Sequence, residues 1–183
     1  MSENPLKLKK MVVLVGMMGS GKTAVGRALA EKLSVDFLDS DQEIVEAATM
    51  SIAEIFERDG EEFFRDRETE VIQRLLASRV GVLSTGGGAF LAERNRAMIS
   101  QDGVSVWLDA DLKLLWQRVK HKDTRPLLRT SDPKQTLTDI YESRVPLYEL
   151  ADLAVKAKSN YAIGDMADAV IEALKTRPDV LEG

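Results

Sequence analysis

The chain has no cysteine, which excludes disulfides, zinc–thiolate sites and a cysteine nucleophile. Its single histidine, His121, sits between Lys120 and Lys122, the setting of a solvated side chain, and no role is assigned to it. Long apolar runs are missing too: the stretch at 11–18 is far too short to span a bilayer. Residues 1–10 are polar, carry four charges and contain no signal-peptide apolar region. A cytoplasmic protein with no membrane partner is therefore expected. There is no excess of basic residues. A net charge of −5 argues against a general nucleic-acid binder, so any anion-binding surface must be a local cluster of Arg and Lys. No internal repeat or low-complexity segment is present. A length of 183 residues with ordinary globular composition suits one domain with a continuous core.

What the chain does have is Gly16-Met17-Met18-Gly19-Ser20-Gly21-Lys22-Thr23. This fits the phosphate-binding P-loop, Gly, four variable residues, then Gly-Lys-Ser/Thr. Ahead of it, Met11-Val12-Val13-Leu14-Val15 is a short, largely β-branched apolar run that reads as a buried strand. Behind it, Ala24, Val25, Ala28, Leu29 and Leu33 recur near helical spacing, with Arg27, Glu31 and Lys32 left for solvent. Strand, glycine loop and helix are the context this motif needs. Gly16, Gly19 and Gly21 permit backbone angles that turn consecutive N–H groups inward. Together with the positive end of the following helix, those donors make a site for a polyphosphate. Lys22 would reach the β- and γ-phosphate oxygens, and the Thr23 hydroxyl would ligate Mg²⁺.

Further along, residues 35–38 read as a second strand, ending near Asp39-Ser40-Asp41. Ser51-Ile52-Ala53-Glu54 has capping-box spacing, opening a helix that Gly60 stops. A charged helix over 61–78 carries an apolar stripe. Strands are expected at 81–84, 104–108 and 153–155, and helices at 91–100, 111–120, 135–144, 146–150 and 164–175. Residues 122–133 hold two prolines and no clear period, which reads as a loop. Strands alternating with helices imply an α/β fold with a parallel sheet wound on both faces. Ligands of such sheets lie beyond the carboxyl ends of the strands. That rule gathers the P-loop, Asp39, Asp41 and Gly86-Gly87-Gly88 on one rim.

Each remaining candidate admits a plainer reading. Asp39 and Asp41 suit a magnesium site or a base for a hydroxyl proton, or else one of them caps the next helix. Arg65 lies three and four residues from Glu68 and Glu61, which on charge pattern alone is a solvated ion-pair ladder. Gly86-Gly87-Gly88 lets the backbone approach something closely, or is a connector. Arg118, Arg125 and Arg144 could neutralise a transferring phosphoryl group or be surface arginines. Trp107 and Trp116 read as core, and Trp116 could also pack beneath a nucleotide.

Taken together, these pieces resemble the shikimate kinases. The resemblance rests on the P-loop at 16–23, Phe37-Leu38-Asp39-Ser40-Asp41, and Ser51-Ile52-Ala53-Glu54-Ile55-Phe56. It continues through Gly60-Glu61-Glu62-x-Phe64-Arg65-x-x-Glu68, Ser84-x-Gly86-Gly87-Gly88-Ala89, Arg125-Pro126-Leu127-Leu128 and Arg144-x-Pro146-Leu147-Tyr148. It implies a three-layer P-loop kinase fold with a five-stranded parallel sheet in order 2-3-1-4-5. Residues 1–183 would form a single domain, with a substrate-binding segment at about 41–70 and a lid at about 120–133. The implied reaction moves the γ-phosphoryl group of ATP to the 3-hydroxyl of shikimate, on the route to chorismate and the aromatic amino acids. A kinase for another hydroxy acid, such as gluconate, is the alternative. A regulatory GTPase is disfavoured, since the chain has neither Asn-Lys-x-Asp nor Asp-x-x-Gly.

The resemblance also implies roles. Gly19, Ser20, Gly21, Lys22, Thr23, Ala24, Arg118 and Arg125 would bind ATP. Thr23 would hold Mg²⁺ directly and Asp39 through water. Asp41 would bind the shikimate hydroxyls and accept the proton of the attacking one. Arg65 and Arg144 would clamp the carboxylate, with Glu68 orienting Arg65, and Gly86, Gly87 and Gly88 would line shikimate. Lys22, Asp41 and Arg125 are the expected catalytic residues, Arg125 arriving with the lid, and the enzyme is expected to act as a monomer.

Overall fold

The computed structural model describes residues 5–121 and 128–183. A short strand β1 (Lys7–Leu8) precedes β2 (Met11–Val15), all five of whose residues are buried. The glycine loop then enters α1 (Lys22–Leu33). β3 (Asp36–Asp39), α2 (Ser40–Ala48) and α3 (Ile52–Ser78) follow. Next come β4 (Gly81–Ser84), a 3₁₀ turn at Ala89–Leu91, α4 (Glu93–Asp102), β5 (Gly103–Asp109) and α5 (Leu112–Val119). α6 (Pro133–Tyr148), β6 (Leu153–Lys156), α7 (Ile163–Leu174) and β7 (Leu181–Glu182) complete the described chain.

The main sheet has the order β3-β4-β2-β5-β6, with every pairing parallel. Numbered from the P-loop strand, this is the expected 2-3-1-4-5. Side chains along a strand alternate between faces, and β2 and β4 are buried throughout, so both faces of the sheet centre are covered. α1 packs on β3, β4 and α7, while α4 packs on β5 and α3. Because the strands run the same way, their carboxyl ends open on one rim. The P-loop leaves β2 there, Asp39 ends β3, and the triple glycine follows β4.

Several local expectations hold and others shift. Ser51 caps α3 by accepting from the Glu54 backbone N–H at 3.1 Å. Within 52–78 only Gly60 leaves helical angles, at φ 87° and ψ 170°, so two helices meet at a kink where the stop was expected. The two helices expected at 135–144 and 146–150 are one, α6, which runs through Pro146. Pro146 has no N–H to give the helix, yet the run continues past it, and Glu149 N–H closes on the Val145 carbonyl at 2.9 Å. α2 was anticipated only through the capping reading of Asp39 or Asp41, and the antiparallel β1–β7 pair was unforeseen, with Lys7 opposite Glu182 and Leu8 opposite Leu181. Two-residue strands carry no periodicity to read. Trp107 is buried, as expected of core, and Trp116 is partly buried against it. Among the described residues, no helix is long and apolar enough to cross a membrane.

Candidate active site

The P-loop takes the shape its glycines permit. Gly19 and Gly21 have φ of 81° and 92°, in the left-handed region that favours glycine. Gly21 is the N-cap of α1 without a side-chain cap bond, so the amides of the first turn and the positive helix end face the loop. The Lys22 ammonium reaches back across the loop, donating to the Gly16 carbonyl at 2.8 Å and the Met17 carbonyl at 3.1 Å. Arg118, from α5, lies across the same loop and donates from Nη1 to the Gly19 carbonyl at 3.0 Å. Thr23 and Ala24 are exposed on the first turn of α1, whereas Ser20 is buried. Thr85 ties the end of β4 to the neighbouring strand, its hydroxyl donating to the Leu14 carbonyl at 3.0 Å. This joins the P-loop strand to the segment carrying the triple glycine.

Asp39 is a helix cap. Its Oδ1 accepts from the backbone N–H of Asp41 at 2.9 Å and of Gln42 at 3.2 Å, which fixes the first turn of α2 where Asp41 sits. Burial pushes the Asp41 carboxyl above the usual carboxylate range, and the neighbouring Asp39 adds to this. Lys22 and Arg65 pull in the opposite direction. Asp41 is thus within electrostatic reach of both the P-loop lysine and the arginine of α3.

Arg65 is more than a surface ladder. Its Nη1 donates to Oε1 of Glu68 at 2.9 Å, and that glutamate side chain is 1% exposed. Glu61, by contrast, is exposed and lies 3.7 Å away. Burial raises the Glu68 carboxyl above its ordinary value, with Arg65 opposing. A buried acceptor on one side of the guanidinium fixes its direction and leaves its remaining donors for another anion.

Gly86, Gly87 and Gly88 draw these groups together. A Cβ on Gly86 would lie 2.8 Å from Oδ1 of Asp41, and one on Gly87 would lie 2.9 Å from Nη1 of Arg144. A Cβ on Gly88 would collide with the guanidinium of Arg65. Each glycine makes room for one polar side chain, and the three come from α2, α6 and α3. One carboxylate and two guanidinium groups therefore converge on three consecutive residues without side chains. That is a geometry for a ligand bearing both hydroxyl and acid groups.

A family model described as shikimate kinase matches residues 18–175. A shikimate kinase from Ruegeria pomeroyi is 69% identical over 175 residues, covering 96% of this chain and 90% of the relative. The chain belongs to the shikimate kinase family. A solved shikimate kinase from Acinetobacter baumannii, in complex with shikimate, superposes with a TM-score of 0.83 at 40% identity, covering 91% of this chain and 93% of that one. A gluconokinase from Sinorhizobium meliloti aligns at a TM-score of 0.62 but only 19% identity, over 93% of this chain and 94% of that one. That likeness extends to the fold alone.

Of the family residues expected from the sequence, the structure brings Lys22, Asp41, Arg65, Arg144 and the three glycines to one rim. Arg118 joins the P-loop. Arg125, with Pro126 and Leu127, lies outside the described residues, and His121 is exposed. Among the described residues, no group of three carboxylates or histidines could hold a metal unaided. Three residues that took no role from the sequence also touch this region. Tyr148 bonds to Gly87, and Asn95, linked to Thr69, bonds to Ala89. Tyr148 closes a motif recognised in the sequence, but its partner could not be read there.

Proposed function

We propose that this member of the shikimate kinase family transfers the γ-phosphoryl group of ATP to the 3-hydroxyl of shikimate, giving shikimate 3-phosphate and ADP. The observation that carries the reading is the packing of Asp41, Arg144 and Arg65 on Gly86, Gly87 and Gly88, beside a P-loop. Arg65 and Arg144 bind the carboxylate, whose two oxygens match guanidinium forks. This turns the hydroxyls toward Asp41. An ionised Asp41 takes the proton of the attacking hydroxyl as its oxygen bonds to the γ-phosphorus, and the bond from that phosphorus to the β–γ bridging oxygen breaks. A carboxyl raised above its ordinary value is a better base near neutral pH than an exposed one.

The P-loop amides and Lys22 hold the phosphates and meet charge that grows at the leaving oxygens. Arg118 reinforces the loop from α5. Arg125 supplies a further cation with the lid at about 120–133, while the segment at about 41–70 supplies Asp41 and Arg65. The donor set also fits Mg²⁺, which is held by few protein oxygens together with substrate phosphates and water. Thr23 would hold it directly and Asp39, whose cap uses Oδ1, through water. Bound there, it would neutralise phosphate charge. The working unit is taken to be a cytoplasmic monomer.

The test is a coupled ADP-release assay with shikimate, quinate and gluconate offered in parallel. Turnover is expected to be fastest with shikimate. Faster turnover of gluconate would overturn the assignment.

A further inference from the structure

Tyr148 is fully buried although it carries a hydroxyl. That hydroxyl donates to the Gly87 carbonyl at 2.8 Å. The ring stacks between Phe90, at 6.5 Å between centroids, and Trp107, at 6.3 Å. Burial raises the phenol above its ordinary value, with Arg144 opposing, so the hydroxyl keeps its proton as a donor. Tyr148 stands four residues after Arg144 on α6, on the same helix face. It thus bonds to the glycine against which Arg144 packs.

The other arginine has a matching arrangement. Thr69 stands four residues after Arg65 on α3, with its hydroxyl 2.8 Å from Oδ1 of Asn95 and 3.0 Å from the Arg65 carbonyl. Its one proton serves either acceptor. Asn95, on α4 and 1% exposed, donates from Nδ2 to the Ala89 carbonyl at 2.8 Å. Ala89 adjoins Gly88, the glycine on which Arg65 packs. Each arginine therefore has, one turn along its own helix, a polar side chain that ties the helix to the same glycine segment.

We propose that Tyr148 and the Thr69–Asn95 pair are positioning residues that set the separation of the Arg65 and Arg144 guanidinium groups to suit one carboxylate, making the site selective for an acid. The inference rests on the reading that the two arginines clamp the substrate carboxylate. None of the positioning residues touches substrate in this scheme. Each acts by holding a helix in register with the glycine segment, and removing its hydroxyl leaves a polar group on the other side without its partner.

The test compares Tyr148→Phe and Thr69→Val, which change little but the hydroxyl, using shikimate and its methyl ester, the ester read as substrate or competitor. Each variant is expected to raise KM for shikimate about five-fold, while kcat and KM for ATP stay within about two-fold. Affinity for the ester, which offers no charged carboxylate, is expected to stay unchanged. A merely structural role predicts that acid and ester weaken together, or that only Tm falls, and either result overturns the proposal. Arg144→Ala in the same assay separates the two levels. Undiminished preference for the acid over the ester in that variant would sink the carboxylate clamp itself. Preference lost in Arg144→Ala but kept in Tyr148→Phe and Thr69→Val would remove only the positioning role.

Discussion

A methyl group on Gly88 would lie 2.7 Å from Nη1 of Arg65. The obstacle is the far end of a flexible side chain, not backbone, so an added side chain moves the guanidinium before it disturbs the fold. Gly88→Ala should therefore fold with a Tm near that of the parent and raise KM for shikimate by about ten-fold or more. KM for ATP should barely move. An unchanged KM for shikimate would show that the position of Arg65 against Gly88 does not matter to binding.

Lys22 bridges the Gly16 and Met17 carbonyls across the P-loop, and in the proposed mechanism it meets charge that develops in the transition state. Lys22→Ala should lower kcat by at least about a hundred-fold, the scale of removing one preorganised electrostatic group. Near-normal kcat would take the lysine out of the mechanism.

Arg65 is oriented by a glutamate that is 1% exposed. Arg65→Ala should mainly raise KM for shikimate, by the equivalent of about 2–4 kcal/mol, as for a charged pair held away from water. The variant also strands the Glu68 carboxylate, so some loss of Tm should accompany it. If KM for ATP rises while that for shikimate does not, the carboxylate assignment fails.

Asp41 gives a pH signature whose sign follows from its surroundings. Burial and Asp39 raise its carboxyl in the folded protein, so the native state binds the proton more tightly than the unfolded chain. Stability then falls as pH rises from the ordinary carboxylate value through the raised one. Asp41→Asn lacks this ionisation. It should melt above the parent at about pH 8, and the gap should close as pH falls through the raised value. The variant should have almost no turnover at any pH. The acid limb of kcat/KM for the parent should have its midpoint above the usual carboxylate range, since the base must be ionised. A wider gap in Tm at low pH would contradict the direction of the shift.

Much of the candidate site was legible because local chemistry encodes it. The P-loop is a short motif whose glycines shape their own backbone and whose lysine and threonine open the helix that follows. Asp39 and Asp41 could be placed beyond a strand end by pattern alone. Arg65 was not legible in the same way. With Glu61 and Glu68 one turn to either side, its charge pattern is that of a solvated helix face, and nothing local shows that Glu68 is buried while Glu61 is exposed. The family resemblance supplied that role, and packing supplies its reason. Pro146 misled in the opposite direction, because a proline within a helical pattern reads as a break, yet α6 runs through it.

By itself the sequence determined the alternation of the five main-sheet strands with helices and the glycine loop suited to a polyphosphate, and it left Gly86, Gly87 and Gly88 as either a close approach or a connector. Those features arise between residues close along the chain, where spacing fixes geometry. Which side chain meets which glycine was decided by the tertiary structure alone: Asp41 at Gly86, Arg144 at Gly87, Arg65 at Gly88, and the Tyr148 hydroxyl on the Gly87 carbonyl. These partners sit on separate helices that meet only because parallel strands deliver their ends to a common rim, and no local spacing records that encounter.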